Sequence, residues 1–117
     1  MARHKMRVFS FAYNTLQEPD GCVIFNVTKL PYPSGSGSGL EEAIQEQVLA
    51  NYAAQKLVLS GLDILRNSLD VAFGCMTGFQ RSVALAEETA RQARDLGLSV
   101  TVEHLGLDDM FKEGHGG

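Results

Sequence analysis

The sequence predicts an α/β fold: a single domain with a mostly parallel or mixed sheet of about four strands and flanking helices. Three observations support this prediction. Short β-favouring runs alternate with long helix-forming segments, as in strand–helix–strand units. The 117 residues are 44% hydrophobic, which suffices for one core and gives no reason to divide the chain. A glycine-containing loop at a strand-to-helix junction has the character of an anion-binding loop.

Two β-favouring runs near the start of the chain are predicted to be strands. The first, residues 7–13, carries aromatic side chains on one face. Residues 18–21 contain proline and glycine and predict a turn. The second run, residues 22–28, is apolar through most of its first half, as expected for a strand buried on both faces. Asn26 is either a satisfied polar group near the strand's end or a contact to a ligand beyond it.

A long helical segment follows a loop rich in serine and glycine. Residues 29–33 stop the second strand, and the Ser/Gly repeat at 34–39 cannot hold a fixed shape unaided. The repeat is interpreted as a connector, with a lid over the anion site as the alternative. Residues 40–66 are predicted to be helical, with Gly61 as the place where the helix would break in two. The side chains expected on its apolar face are Ile44, Val48, Tyr52, Leu59, Leu62 and Leu65.

The second half of the chain repeats the pattern of strand, helix and strand. Residues 71–75 form the third predicted strand, and residues 82–96 form a helix that ends at a left-handed cap on Gly97. Residues 99–105 form the last predicted strand. The small residues expected to face the sheet from this helix are Val83, Ala86, Ala90 and Ala93. The residues expected to form surface ion pairs are Glu87, Glu88 and Arg91.

The junction between the third strand and its helix is predicted to hold an anion. The first amide groups of a helix lack acceptors, and the helix dipole favours negative charge there. Gly78 lets the backbone bend close to a ligand, and Arg81 offers planar donors to a phosphate or carboxylate. Ligands bind beyond the carboxyl ends of parallel strands, so Asn26 and His104, near the ends of two other strands, are also candidate contacts. A lone histidine at such a position is more often structural. The candidate ligand-binding residues are Cys75, Met76, Thr77, Gly78, Phe79, Gln80, Arg81, Ser82, Asn26 and His104.

The charge of the chain weighs against nucleic acid as the main partner. The formal net charge is −4, whereas non-specific nucleic-acid binding draws its affinity from many lysine and arginine contacts to phosphates. The basic cluster near the N-terminus is interpreted as a solvated start of the first strand, with an RNA contact as the alternative. That cluster comprises Arg3, His4, Lys5 and Arg7.

Several site classes and locations are excluded by composition. The two cysteines are too few for a disulfide framework, and no Cys/His pair has metal-ligand spacing, so neither a metal nor a cofactor is expected. The N-terminus has neither the signal-peptide nor the membrane-span pattern, so a cytoplasmic protein is expected. Residues 1–107 are predicted to form the domain, and residues 108–117 a flexible acidic and glycine-rich tail, with fraying from Gly106.

The loop resembles the phosphate loop of the cysteine-dependent phosphatases, whose pattern is His-Cys-x-x-Gly-x-x-Arg-Ser/Thr. The resemblance implies that Cys75 is the nucleophile, that Arg81 stabilises the transferring phosphoryl group and that Ser82 assists the departing thiolate. Gly74 stands where that pattern has histidine. The alternative to a functional loop is that Cys75 is simply a small buried residue and Arg81 a surface cation. The candidates for the general acid of a phosphatase are Asp108 and Asp109.

A second resemblance covers residues 8–107, which are similar to the C-terminal domain of the RapZ family, the RNase adapter proteins of bacteria. The matching segments, in family order, are 9–11 with Tyr13, 23–27, 30–33, 74–83, 86–87 and the strand ending at His104. The resemblance implies a loop that binds glucosamine-6-phosphate without turnover. It also implies a domain that self-associates and binds small regulatory RNAs to present them to an endoribonuclease.

The chain departs from the family pattern at several positions. Within the loop, the differing residues are Met76, Thr77 and Gln80, the last in place of a histidine. Outside the loop, they are Asn26 for an aspartate, Thr28 for an arginine and Leu105 for an arginine, followed by an acidic tail in place of a basic one. The expected function is therefore a non-enzymatic, homo-oligomeric regulatory module for a phosphorylated ligand, with RNA binding disfavoured. The expected form is a stand-alone, divergent copy, and a phage or plasmid origin is a conjecture.

Overall fold

The structure, a computed structural model, describes residues 5–108. Within this range the chain forms an α/β domain around a four-stranded sheet in the order β2-β3-β1-β4. The neighbouring strands all pair in parallel, so the predicted fold class is confirmed. The strands are β1 (Met6–Ala12), β2 (Val23–Asn26), β3 (Val71–Cys75) and β4 (Val100–His104). The helices are α1 (Glu42–Leu49), α2 (Tyr52–Arg66) and α3 (Arg81–Asp95), with a short 3-10 turn at Tyr13–Thr15.

Helix α3 lies across the middle of the sheet. It packs against β1, β3 and β4, and helices α1 and α2 pack against it in turn. Its small residues Val83, Ala86, Ala90 and Ala93 are fully buried, as predicted. Because small side chains allow close approach, the sheet holds the N-terminus of α3 in a fixed position at the end of β3.

Strand β2 is an edge strand, and the prediction that it is buried on both faces was wrong. Its side chains are half-buried or exposed. The strand also ends earlier than predicted, at Asn26, whose Oδ1 accepts hydrogen bonds from the Thr28 amide at 2.9 Å and from Thr28 Oγ1 at 2.6 Å. When an asparagine side-chain carbonyl accepts a hydrogen bond from the amide of the second residue after it, the chain turns out of the sheet.

The long helical segment breaks at Asn51, ten residues before the predicted break at Gly61. Asn51 caps the N-terminus of α2, because its Oδ1 accepts a hydrogen bond from the Ala54 amide at 3.2 Å. Gly61 lies inside α2 and is buried. A β-carbon there would lie 2.8 Å from Phe73 Cζ, so the glycine permits close packing of α2 on β3.

The break changes which residues of α2 face the core. Tyr52 and Leu59 were predicted to lie on the apolar face of the helix but are 72% and 61% exposed. Ala54 and Val58 take the inward positions instead, together with Leu62 and Leu65 as predicted. The apolar positions were counted as one continuous helix, whereas a new helix starts with its own rotational phase.

The Ser/Gly segment 34–39 has a defined position, because neighbouring side chains hold it. Gln80 Nε2 donates hydrogen bonds to the carbonyls of Gly35 at 3.0 Å and Gly37 at 2.7 Å. The Gly39 amide donates to the Phe79 carbonyl at 2.9 Å. A β-carbon on Gly39 would lie 2.3 Å from the Gln80 carbonyl oxygen. The segment is therefore more than a connector, since it rests directly on the start of α3.

The described chain ends in ordered structure. Gly97 has a φ of 84°, which confirms the predicted left-handed cap of α3. Residues 105–108 are helical, and Gly106 and Leu107 are buried, so the fraying predicted from Gly106 does not begin there. Of the predicted tail, only Asp108 lies within the described residues. Over residues 5–108, no helix has the length and apolar character needed to cross a membrane.

Candidate functional site

The carboxyl ends of the parallel strands bring most of the predicted site residues to one edge of the sheet. Asn26 is the register partner of Gly74, and Ala12 is the partner of Cys75. His104 pairs with Ser10, whose other partner is Phe73, so His104 lies two residues below the level of Cys75. The loop after β3 therefore lies at the rim, and His104 lies further inside.

The backbone of the loop depends on Gly78. Its φ is 65°, a left-handed conformation that other residues adopt at a cost. A β-carbon there would lie 3.0 Å from the amide nitrogen and the β-carbon of Ala12. On the other side, a β-carbon on Gly106 would lie 2.7 Å from the Gly78 carbonyl oxygen. The predicted need for glycine thus reflects both its conformation and its close neighbours.

The first turn of α3 leaves its amide groups without acceptors. Within residues 5–108, the amides of Arg81, Ser82 and Val83 donate to no carbonyl or side chain, whereas the Ala84 amide bonds the Gln80 carbonyl at 3.0 Å. The residue before the helix, Gln80, provides no side-chain cap. Uncapped amides at a helix N-terminus, together with the helix dipole, favour a bound anion.

The exposure of the loop side chains differs from residue to residue. Met76 and Thr77 are exposed and border the loop, with Met76 at 47%. Phe79 is half-buried. The Gln80 side chain holds the Ser/Gly segment, as described above, instead of pointing toward a ligand. Asn26 is exposed, and its carbonyl oxygen is occupied by Thr28.

Cys75 lies beneath the loop rather than within it. The side chain is fully buried, and its Sγ donates a hydrogen bond to Ser82 Oγ at 3.1 Å. A nucleophilic thiolate must reach the phosphorus atom of its substrate in line with the leaving group. The phosphatase interpretation therefore receives no support from this geometry. Of its candidate general acids, Asp108 is exposed, and Asp109 lies outside the described residues.

Arg81 is buried, with 1% of its surface exposed, and it does not offer its whole fork to the loop as predicted. Nη1 donates hydrogen bonds to the carbonyls of Thr28 at 2.7 Å and Leu30 at 3.1 Å. Nη2 is buried and has no hydrogen-bond partner in the described part of the chain. The interpretation of Arg81 as a surface cation was therefore wrong.

The guanidinium of Arg81 has no ion-pair partner among residues 5–108. Burying a cation with an unpaired donor is costly, and a bound oxyanion would remove much of that cost. The ring of Tyr32 covers the guanidinium, with its centroid 3.8 Å from Cζ. Tyr32 was not among the predicted site residues, although it is an aromatic residue between two prolines and lies in the segment 30–33 that matches the family.

His104 is held on both sides by protein groups. Its Nδ1 lies 2.6 Å from Ser10 Oγ, and its Nε2 lies 2.7 Å from Glu87 Oε2. The hydrogen bond from His104 holds the pKa of Glu87 below its usual value, against an opposing effect of burial. A ligand contact through His104 would require the loss of one of these bonds.

The surface pairing predicted for α3 is half right. Glu88 forms a two-pronged ion pair with Arg91, with oxygen–nitrogen distances of 2.6 and 2.7 Å. Glu87 does not pair with Arg91 but turns inward to His104. Residues 87 and 88 lie on different sides of the helix, because consecutive positions are about 100° apart.

In the described range, no group of three or more Asp, Glu, His or Cys side chains could hold a metal ion.

Comparison with known proteins agrees with the second resemblance. A family model of the RapZ C-terminal domain matches residues 4–108. The chain is 30% identical over 121 residues to a nucleotide-binding protein of Salinispora tropica, covering 90% of this chain and 40% of that protein. It is 32% identical over 104 residues to a nucleotide-binding protein of Stenotrophomonas maltophilia, covering 75% of this chain and 35% of that protein. The chain therefore spans well under half of the length of the curated relatives it matches.

Proposed function

The chain belongs to the RapZ C-terminal domain family, and on that premise we propose that it is a regulatory module that binds a phosphorylated small molecule without turning it over. The ligand site is the start of α3 with the loop before it, residues 75–82. Its phosphate group lies against the first amides of the helix and Arg81. Of the other two predicted contacts, Asn26 lies at the end of the neighbouring strand and His104 lies further inside the sheet.

One observation carries the proposal: the amides of the first turn of α3 and the buried Nη2 of Arg81 all lack acceptors within the described residues. Free amides at a helix N-terminus favour an anion, and a buried donor such as Arg81 Nη2 is nearly always paired in folded proteins, so both observations support a bound oxyanion. A phosphate group offers several oxygen acceptors and the negative charge that a helix N-terminus and a guanidinium both favour.

The finer identity of the ligand follows from the family resemblance. An amino-sugar phosphate, with glucosamine-6-phosphate as the first choice, is the proposed ligand. The relatives named as nucleotide-binding proteins are consistent with a phosphorylated ligand, although their names cover a longer chain than this one. Charge-assisted hydrogen bonds contribute about 1.5–3 kcal/mol each, so a few of them predict a dissociation constant on the order of 10–100 µM.

The proposed partners follow the same resemblance. The module is proposed to act in the cytoplasm as a homo-oligomer. Binding of RNA is disfavoured, because the net charge is −4 and the affinity of proteins for RNA depends on many basic contacts. A mobility shift at physiological salt tests this point, and we expect no shift.

Isothermal titration calorimetry tests the proposed ligand class. Glucosamine-6-phosphate and inorganic phosphate should bind, the sugar phosphate more tightly, and unphosphorylated glucosamine should not. Arg81→Lys should weaken binding about tenfold or more, since the ammonium group cannot replace the planar fork. Arg91→Lys is the matched control, because Arg91 lies on the same helix with its side chain 60% exposed and paired to Glu88. Failure of every phosphorylated sugar and of phosphate to bind the unmodified protein would contradict the proposal.

A further inference from the structure

Tyr32 separates the buried guanidinium of Arg81 from water. Its ring centroid lies 3.8 Å from Arg81 Cζ, at the distance of a face-on stack. Tyr32 itself is 69% exposed, whereas Arg81 is 1% exposed. The outer side of the ring therefore faces solvent, and its inner side covers the cation.

The covered cation is incompletely bonded. Nη1 is taken by the carbonyls of Thr28 and Leu30, but Nη2 has no partner among residues 5–108. An unpaired buried donor destabilises the closed arrangement. A ligand oxygen that bonded Nη2 would relieve this penalty, but the solvent side of the guanidinium is occupied by the ring.

The ring is held by its stack on Arg81, without a hydrogen bond, whereas the backbone beneath it is fixed more firmly. Tyr32 lies outside regular secondary structure and makes no hydrogen bond within the described range. The prolines at 31 and 33 fix the backbone φ angles on both sides of Tyr32. The Leu30 carbonyl is tied to Arg81. The ring can therefore leave the guanidinium by rotation of its side chain, without movement of the chain.

A second aromatic–cation pair shows that this arrangement is not a general surface feature. The ring of Tyr52 lies 5.5 Å from Lys56 Nζ, and Tyr52 is 72% exposed, much like Tyr32. Lys56 is exposed, however, so nothing is enclosed beneath the Tyr52 ring. The two tyrosines differ in what they cover, and this makes Tyr52 a matched control.

We propose that Tyr32 is the gate of the anion site: its ring closes over Arg81 when no ligand is bound and turns away when an oxyanion bonds Nη2. This inference rests on the proposed function, because it specifies how a phosphate group reaches the same arginine. The ligand class is a phosphate or phosphomonoester, whose oxygens match the donor. Tyr32 lies outside the loop 75–82, so the gate adds a residue to the proposed ligand site.

Fluorescence of a single tryptophan tests the gate, because the protein contains no tryptophan. Tyr32→Trp places the probe over the guanidinium, and Tyr52→Trp places it over Lys56. Titration with inorganic phosphate at constant ionic strength should shift the emission of Tyr32→Trp to longer wavelength in a saturable way. The emission of Tyr52→Trp should stay unchanged. Equal responses of the two probes would overturn the gate.

Calorimetry on the same variants separates the gate from the proposed function. Phosphate binding to Tyr32→Trp without any change in emission would overturn the gate and leave the function standing. Absence of phosphate binding to the unmodified protein would overturn both.

Chemical modification gives a readout that does not depend on a fluorophore. Tyr32→Ala should let phenylglyoxal modify Arg81 about tenfold faster than in the unmodified protein, because loss of the stacked ring exposes the guanidinium; the mass of the Arg81 peptide reports the modification. Phosphate should protect Arg81 in the variant. Equal rates in the two proteins would contradict a gate at Tyr32.

Discussion

Arg81 and His104 are two basic side chains on the helix-covered face of the sheet, and the fold treats them differently. His104 uses both ring nitrogens, one toward Ser10 and one toward the carboxylate of Glu87. Arg81 uses Nη1 for two backbone carbonyls, leaves Nη2 unpartnered and has no carboxylate beside it among residues 5–108. Within the described residues, the protein completes the bonding of His104 but leaves one donor of Arg81 without an acceptor.

The difference has a thermodynamic cost, and the cost indicates function. An unpaired buried donor costs about 1–3 kcal/mol, and more when it is charged. A site that needs a ligand oxygen can retain such a donor, whereas a purely structural arginine would gain from a nearby carboxylate, as His104 does. This difference supports the proposed ligand-binding role of Arg81 and a structural role of His104.

The largest expected effect comes from Arg81→Met. This substitution keeps an apolar stem of similar length and removes the charge and the unpartnered donor. Phosphate affinity should fall about 100-fold, or about 2.7 kcal/mol, as measured by calorimetry. His104→Gln is the matched variant and should change affinity less than about threefold, since both nitrogens of His104 are occupied within the protein. The reverse ranking would break the comparison. Circular dichroism of both variants checks that they fold.

Gly39→Ala tests how the start of α3 is held in place. The new β-carbon would lie 2.3 Å from the Gln80 carbonyl oxygen and 2.6 Å from the Ala84 nitrogen, so backbone must move. We expect the free energy of unfolding to fall by about 2 kcal/mol, measured by denaturant titration.

Gly37→Ala is the control for this prediction. Its β-carbon would meet only the end of the flexible Glu41 side chain, which can move aside. The cost should stay below about 1 kcal/mol. Equal losses in the two variants would show that contact with α3 does not decide the position of the segment.

Glu87→Gln tests the His104 cluster through pH. The pKa of Glu87 is lowered by its hydrogen bond with His104, so the stabilisation is present above the usual glutamate pKa and is lost as the pH falls through the lowered value. At pH 6 the variant should lose about 1 kcal/mol of unfolding free energy, and the difference should vanish in acid. A constant difference across the pH range would exclude an ionised Glu87 as the cause. Glu46→Gln, an exposed change on α1, should show neither effect.

The smallest effect is expected for Cys75→Ser on phosphate-ester hydrolysis. Because the thiol is fully buried beneath the loop, p-nitrophenyl phosphate should not be hydrolysed above background by either protein. Hydrolysis that disappears in Cys75→Ser would restore the phosphatase interpretation. It would also require the loop to open far enough to expose the sulfur atom.

Local features of the fold could be predicted from the sequence. The small residues of α3, the left-handed cap at Gly97 and the loop between β3 and α3 each depend on residues adjacent in the chain. Helical periodicity and glycine conformation act over a few residues, so a single sequence reveals them. The break at Asn51 was missed because a strong asparagine cap was overlooked and glycine was weighted more heavily.

The non-local features could not be predicted. The edge position of β2 depends on strand order, which periodicity does not encode. The Arg81 guanidinium donates hydrogen bonds to carbonyls more than fifty residues earlier in the chain, and the His104 ring bonds Ser10 on the neighbouring strand. Such contacts arise from tertiary packing, so the sequence pattern indicated a candidate site but could not say which of its donors the protein itself would occupy.

The central claim is that a phosphate oxygen completes Arg81 and leaves His104 as it is. A single nuclear magnetic resonance titration with inorganic phosphate, observing the Arg81 side-chain nitrogens and the His104 ring together, tests it most directly. The account predicts a saturable shift of the Arg81 guanidinium signals and an unchanged His104 ring. A shift confined to His104, or no shift at Arg81 while phosphate binds, would contradict it.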